Sequence, residues 1–115
     1  MSFGKTLLKL LSISLVLIAC SPHPGSGEWL ARAEGNYRFS RLKVEFDGKA
    51  YLFVPNKEDH QLRCFWAGES ASLISMDCIL NDPSERRSVY QFRVVDQRSG
   101  ELMTNGNVVG RFQRN

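Results

Sequence analysis

The stretch RLKVEFDGKAYLFV at residues 41–54 decides the fold class, because two strand-like segments flank a turn pair. Polar and apolar side chains alternate before Asp47-Gly48, and the chain runs back through Ala50 to Val54. Asp-Gly between two such segments is typical of a type I′ β-hairpin. A two-residue turn predicts three cross-strand pairs on the core face: Phe46–Lys49, Val44–Tyr51 and Leu42–Phe53.

A second hairpin is predicted around Cys64 and Cys78, the two cysteines that follow residue 20. If they are cross-strand partners, the register places two apolar pairs on the cysteine face: Trp66–Met76 and Leu62–Leu80. The same register places two pairs on the reverse face: Arg63–Ile79 and Phe65–Asp77. Because the apolar set coincides with the cysteine face, we expect a Cys64–Cys78 disulfide. The alternative, a reactive or metal-binding pair, lacks CxxC spacing.

Further strand-like stretches lie at residues 29–33, 88–95, 101–104 and 107–113. Tyr90, Phe92 and Val94 alternate with polar residues, and Asn105-Gly106 supplies another turn. Residues 29–33 fit a strand or, equally, a short helix. We therefore expect an all-β domain of about seven or eight short strands with one disulfide. This small antiparallel meander is either closed into a barrel or flattened into a sandwich.

Residues 1–19 have the layout of an export signal, with Lys5 and Lys9 ahead of an apolar run that ends at Ala19. A membrane-spanning helix needs about 20 apolar residues, so this run is too short to remain as a span. Removal of the leader with its two lysines lowers the formal net charge of the chain from +3 to +1. That balance argues against a nucleic-acid partner.

The junction between the leader and the rest of the chain reads Leu17-Ile18-Ala19-Cys20, which resembles the lipobox of bacterial lipoproteins. The resemblance implies that Cys20 is acylated and becomes the mature N-terminus, which anchors the domain to a membrane. Ser21, where an inner-membrane lipoprotein would carry Asp, implies the outer membrane, with the domain facing the periplasm. The alternative is an ordinary secretory leader that is cut elsewhere. Either route leads to an oxidising compartment, where a disulfide is the default state of a cysteine pair.

The predicted domain organisation follows from these signals. Residues 1–19 are the signal peptide, residues 20–27 are the lipidated N-terminus with a flexible tether, and residues 28–115 are the β-rich domain. The tether prediction is based on the composition of residues 21–27, which contain proline, glycine, serine and one histidine but no aliphatic side chain.

The predicted domain also resembles the broad lipocalin-like group of β-barrels. It begins with Gly27-Glu28-Trp29, continues as a meander of hairpins and ends in Gly110-Arg111-Phe112. In that group the first strand often carries Gly-x-Trp, and an arginine of the closing strand packs on the tryptophan. The resemblance implies a structural cation–π pair between Trp29 and Arg111. The alternative is a tryptophan that plugs a barrel end and an unrelated surface arginine.

The sequence offers no recognisable catalytic arrangement. His23 lies in the predicted tether and His60 in a charged loop, where Glu58, Asp59 and His60 are consecutive and therefore poorly placed to converge on one ion. The serines near residues 70–75 lack a Gly-x-Ser-x-Gly context, and there is no glycine-rich phosphate loop. We expect a non-enzymatic protein with no catalytic residues, no metal and no other cofactor.

Three functions remain open at this point. The first is a cell-envelope lipoprotein that binds a periplasmic or envelope protein, as an envelope accessory or as an inhibitor or immunity-type factor. The charged loops at residues 56–61 and 81–87 are its candidate recognition elements, and the alternative is that they are merely solvated. The second function is a lipocalin-like carrier of a small apolar ligand. The third is a structural surface lipoprotein without a specific partner.

Overall fold

The computed structural model describes residues 22–32 and 38–115. It contains eight β-strands that pair with one another in chain order. Their bounds are β1 (Gly27–Ala31), β2 (Arg41–Val44), β3 (Lys49–Phe53), β4 (Leu62–Ser70), β5 (Leu73–Leu80), β6 (Arg87–Val94), β7 (Ser99–Thr104) and β8 (Asn107–Arg114). Every pair is antiparallel, and β1 also pairs with β8. The expected all-β meander is confirmed, and the choice between barrel and sandwich is settled in favour of a closed barrel.

The barrel forms because alternate residues of each strand point inward and are apolar. One inner ring follows the register across five strands: Trp29, Leu42, Leu52, Leu62 and Leu80. The first four of these side chains are buried, and Leu80 packs against the same core. Most of the outward residues beside them are polar or exposed, and Phe53 is a buried exception.

The β2–β3 hairpin is real, but its predicted register is wrong by one residue. Val44 pairs with Ala50 and Leu42 with Leu52, so Ala50 and Leu52 face the core while Tyr51 faces outward. A type I′ turn requires positive φ at both central residues. Gly48 has φ +96°, but the φ of Asp47 is not positive, so the turn is not type I′. The amide of Gly48 donates to the carbonyl of Glu45, which makes a three-residue loop with glycine in the left-handed position. Phe46 therefore lies in the turn and is 84% exposed rather than in the core.

The β4–β5 hairpin has the predicted register at all five predicted pairs. Cys64 pairs with Cys78 and the two are joined by a disulfide. Trp66 lies opposite Met76 and Phe65 lies opposite Asp77, as expected. The register shifts only beyond Gly68, close to the turn.

The remaining elements follow the sequence prediction closely. Residues 27–31 form a strand rather than a short helix. The turn between β7 and β8 has positive φ at both Asn105 (51°) and Gly106 (78°), as a type I′ turn requires. Within the described residues, no helix is long and apolar enough to cross a membrane.

Aromatic side chains fill the middle of the barrel. The Trp29 and Phe92 rings meet edge to face at 4.9 Å, and Phe92 and Phe112 do so at 6.2 Å. Two inward positions are glycines, and both leave room for a ring. A Cβ at Gly100 would overlap the Phe92 ring, and a Cβ at Gly110 would lie 2.7 Å from Cε1 of Phe112. Large and small residues thus alternate across the interior.

The two ends of the barrel differ in what they carry. We call the end where β1 begins the entry end, and it also carries the β2–β3, β4–β5 and β6–β7 turns. The opposite, far end carries the β3–β4 and β5–β6 loops and the Asn105-Gly106 turn. The predicted leader and Cys20 lie outside the described residues.

Candidate functional site

The barrel interior is occupied by the protein's own side chains. The largest side chains that are fully buried are those of Trp29, Phe92, Phe112, Leu42, Leu52, Ile74, Met76, Leu102 and Cys78. Phe39 is also buried and meets the Tyr90 ring at 5.8 Å. The candidate binding site for another molecule therefore lies on the outer surface.

The outer face of strands β3 to β6 carries a mixed apolar and basic surface, which we call the lateral patch. One cross-strand row contains Lys49, Phe65, Asp77 and Val89. The adjacent row contains Tyr51, Arg63, Ile79 and Arg87. From the strand spacing, four strands span about 14 Å and the two rows lie about 7 Å apart.

Two apolar members of the lateral patch are exposed, and Tyr51 and Ile79 are half-buried. Phe65 is 66% exposed and Val89 is 60% exposed. Phe65 also borders an open groove of about 370 Å³ that is lined on its other sides by Lys49, Tyr51, Arg63, Cys64 and Ile79. Phe65 and Val89 lie two strands apart with Asp77 between them, so the exposed Phe65 ring beside the groove is the main candidate contact point for another molecule.

The charges around the lateral patch are mainly positive. Lys49, Arg63 and Arg87 are exposed, and Asp77 is the one carboxylate within the two rows. Nη2 of Arg63 lies 4.0 Å from Oε1 of Glu85, which connects the patch to the β5–β6 loop. Aromatic and arginine side chains are enriched in protein interfaces, and cations favour an acidic partner. The arrangement is suited to binding a surface that combines acidic and apolar side chains.

The loop at residues 56–61 is held by a small outer-face cluster. The His60 ring packs on Tyr51 at 4.8 Å and on Phe53 at 6.3 Å. The Arg41 guanidinium also lies 3.9 Å from the centroid of the Phe53 ring, and its Nη1 donates to Oε1 of Glu28. Phe53 is therefore buried although it faces outward, against the prediction that it pairs with Leu42 in the core.

The residues that we considered as metal ligands are not brought together. Glu58 and Asp59 are exposed, while His60 is turned towards the two rings. Within residues 22–32 and 38–115, no three His, Cys, Asp or Glu side chains are placed to hold a metal ion. The sulfur atoms of Cys64 and Cys78 are in the disulfide, and both residues are buried, so they contribute to the core.

The charged loop at residues 81–87 is ordered by a local turn. The hydroxyl and the backbone amide of Ser84 both donate to Oδ1 of Asp82. The hydrogen bond from the Ser84 hydroxyl lowers the pKa of Asp82 below its usual value. This loop borders the lateral patch through Glu85, as described above.

Arg114, rather than Arg111, is the arginine that packs on Trp29. Its guanidinium lies 4.1 Å from the indole centroid, and the two residues are partners in the β1–β8 ladder. Arg111 is directed outward instead, with Nε 3.5 Å from Oε2 of Glu101. The predicted kind of contact exists, but it is displaced by three residues along β8.

The predicted flexible tether makes specific contacts with the entry end from His23 onward. Nε2 of His23 lies 2.6 Å from the carbonyl oxygen of Ser70, and its ring meets Trp66 at 5.8 Å. The indole Nε1 of Trp29 donates to the carbonyl of Gly25, which is itself buried. Arg114 donates to the carbonyls of Pro24 and Ser26. Through these contacts, residues 23–26 lie across the entry end.

Sequence reasoning missed the lateral patch as a site, although part of the signal was present. The β4–β5 register already put Phe65 and Ile79 on the reverse face, where two apolar side chains are unexpected. Tyr51 was assigned to the core by the incorrect β2–β3 register, so the patch could not be assembled. No protein-family model, curated protein or solved structure matches this chain.

Proposed function

We propose that this chain is a non-enzymatic lipoprotein of the cell envelope that binds another envelope or periplasmic protein through its lateral patch. Cys20 would hold the domain to the membrane, with the barrel on the periplasmic side of the outer membrane. An envelope accessory role and an inhibitor or immunity-type role both fit such a binding module. The observation that carries the proposal is the exposed Phe65, flanked by Arg63 and Lys49 on a rigid barrel wall.

The filled interior supports surface binding over the carriage of a small apolar ligand. A carrier needs free volume inside the barrel, whereas Trp29, Phe92 and Phe112 occupy the centre and are fully buried. Binding a ligand there would require these rings to leave a closely packed core. The outer wall needs no such rearrangement, because the lateral patch is already exposed.

The proposed binding mode follows from the side chains of the patch. Phe65 and Val89 would lose water on contact, which supplies the apolar contribution to affinity. Arg63 and Arg87 would pair with carboxylates of the partner and fix its orientation, since guanidinium groups bind carboxylates in a planar, two-pronged geometry. We therefore propose a partner with an acidic surface around an apolar centre.

Intact mass of the protein purified from bacterial membranes tests the anchor. A mature chain that begins at Cys20 and carries acyl groups is expected, and a Cys20→Ala variant should lose both the acyl mass and membrane retention. A non-acylated chain cut at another position would contradict the anchor. Binding by the lateral patch is tested independently of the anchor, by the crosslinking experiment that follows.

Site-specific photo-crosslinking in living cells tests the lateral patch. A photoreactive phenylalanine analogue at position 65 is expected to give a discrete product with one envelope protein. The matched control is position 113 on β8, which is exposed on the opposite wall of the barrel. The absence of a product at position 65, or the same product at both positions, would overturn the proposed surface.

The cross-linked protein must then bind in purified form. Phe65→Ala is expected to weaken binding at least about 10-fold, as an interface hot spot does. Arg63→Glu should also weaken it, whereas Arg111→Glu should not. Arg63 and Arg111 are well matched, because their side chains are 56% and 55% exposed and each lies near a glutamate. Equal affinities for all three variants and the wild type would contradict the proposal.

A further inference from the structure

The entry end carries exposed apolar side chains at its turns. Phe46 lies in the β2–β3 turn and is 84% exposed, and Val95 follows β6 and is 56% exposed. Ala71, in the β4–β5 turn, is exposed as well. Because β2–β3 and β6–β7 are four strands apart in an eight-stranded barrel, Phe46 and Val95 lie on opposite sides of its rim.

The chain that leads to the predicted lipid anchor enters at this same end. His23 is fixed by its Nε2 contact with the Ser70 carbonyl, and Gly25 donates its amide to Nδ1 of His23. Three residue steps then separate Cys20 from His23. At about 3.3 to 3.6 Å per extended residue, this stretch of chain reaches about 11 Å at most, which is the upper limit on the distance between His23 and an anchor at Cys20.

We propose that the entry end rests on the lipid bilayer, with Phe46 and Val95 inserted into its interfacial layer. This inference rests on the proposed lipid anchor, because the anchor brings this end of the barrel to the membrane. The short span from Cys20 to His23 keeps the entry end of the barrel close to the lipid surface. Apolar and aromatic side chains at a membrane surface gain free energy by leaving water for the interfacial layer.

The charges at the entry end identify the kind of membrane contact. Asp47 and Asp96 lie in the same turns as Phe46 and Val95, while Lys49 and Arg98 are close to them in the chain. With the Glu45–Lys43 ion pair included, acidic and basic groups in and beside these two turns are equal in number. Contact with the bilayer then depends on the apolar residues, so it should be similar on zwitterionic and anionic lipids.

This orientation also determines how the lateral patch is presented. The patch lies on the wall of the barrel, between the entry end and the far end. A barrel that stands on its entry end directs that wall along the membrane plane. A partner would therefore approach Phe65 from the side, close to the membrane surface.

Depth-dependent fluorescence quenching tests the contact on the acylated full protein in phosphatidylcholine vesicles. Phe46→Trp supplies a probe at the rim, and brominated lipids quench indoles that reach the acyl region. The matched control is Val108→Trp, because Val108 lies next to the far-end turn and is also exposed. The wild-type protein gives the background from Trp29 and Trp66.

We expect bromolipid quenching of Phe46→Trp to exceed the wild-type background at least twofold, and that of Val108→Trp to equal it. Replacing a third of the lipid with phosphatidylglycerol should leave both values unchanged. A protein that floats with the vesicles but shows no extra quenching at position 46 would overturn the membrane contact while leaving the anchor intact. A protein that does not float with the vesicles would overturn both.

Discussion

The guanidinium of Arg114 lies 4.1 Å from the ring centroid of Trp29, and these two residues come from the last and the first strand of the barrel. The contact therefore lies on the seam at which the sheet closes. Arg114 also reaches the carbonyls of Pro24, Ser26 and Gln97. One side chain thus joins the closing strand, the first strand, the N-terminal segment and the β6–β7 turn.

Arg114→Ala is expected to lower the free energy of unfolding by about 2–3 kcal/mol. The loss combines one cation–π contact with several hydrogen bonds to backbone carbonyls. Arg114→Lys should recover only part of it, because an ammonium group cannot reproduce the planar fork. Urea unfolding measures both variants, and Arg111→Ala is the control, expected within about 0.5 kcal/mol of the wild type. Equal losses at positions 111 and 114 would contradict this role of Arg114.

Gly100→Ala is expected to destabilise the barrel by about 1–3 kcal/mol, because the new methyl group overlaps the Phe92 ring in a packed core. Adding Phe92→Leu to Gly100→Ala should recover stability relative to the simple sum of the two single changes. A double-mutant cycle by thermal or urea unfolding measures this coupling. Strict additivity would show that the glycine is not needed for the ring.

The Cys64–Cys78 disulfide closes a loop of about 15 residues, and its loss is expected to cost about 3 kcal/mol. The double variant Cys64→Ala/Cys78→Ala should match the reduced wild-type protein to within the cost of the lost sulfur packing. Urea unfolding with and without reductant provides the comparison. If reductant lowers the free energy of unfolding of the double variant as much as that of the wild type, the disulfide is not the cause of the loss of stability.

Asp96 is expected to stabilise the fold only where it is ionised. The backbone amide of Arg98, followed by the hydroxyl and amide of Ser99, lowers the pKa of Asp96 below its usual 3.8. A folded-state pKa below the unfolded value gives stability above pH 3.8, which is lost as the pH falls through the folded value. Asp96→Asn should therefore be less stable than the wild type at pH 7, with the difference shrinking as the pH falls below 3.8. Urea midpoints across this range measure it, and a constant difference would disprove it.

The sequence predicted the local elements better than it predicted the contacts between them. The β4–β5 register was correct because the cysteines fix which residues are opposite. The β2–β3 register failed because Asp-Gly suits both a two-residue turn and a three-residue turn with glycine in the left-handed position. The backbone at Asp47 decides between them, and that conformation is not encoded in the residue pair itself.

The closure of the sheet was the part that local patterns could not predict. An open sandwich and a closed barrel can share the same strands and turns, and only the β1–β8 ladder separates them. The same ladder decides that Trp29 meets Arg114 rather than Arg111. This register joins strands that are far apart in sequence. No turn connects them directly, so local sequence patterns cannot predict it.

The lateral patch was only partly predictable for the same reason. Phe65 and Ile79 were placed on one face by the β4–β5 register, which was correct. Tyr51 and Lys49 join them through the β3–β4 ladder, and Val89 joins through β5–β6. A surface that spans four strands can be predicted only when every intervening register is correct, and the error in the β2–β3 register placed Tyr51 on the core face.

The pairing of β1 with β8 also sets an order of events during biosynthesis. Trp29 precedes Arg114 by 114 − 29 = 85 residues, whereas every other strand pair joins neighbours in the chain. The hairpins can form as they emerge, but β1 lacks its second partner until β8 has been synthesised. Trp29 therefore cannot make its contact with Arg114 before β8 is present. Completion of the final strand, rather than formation of any hairpin, determines when the barrel is sealed.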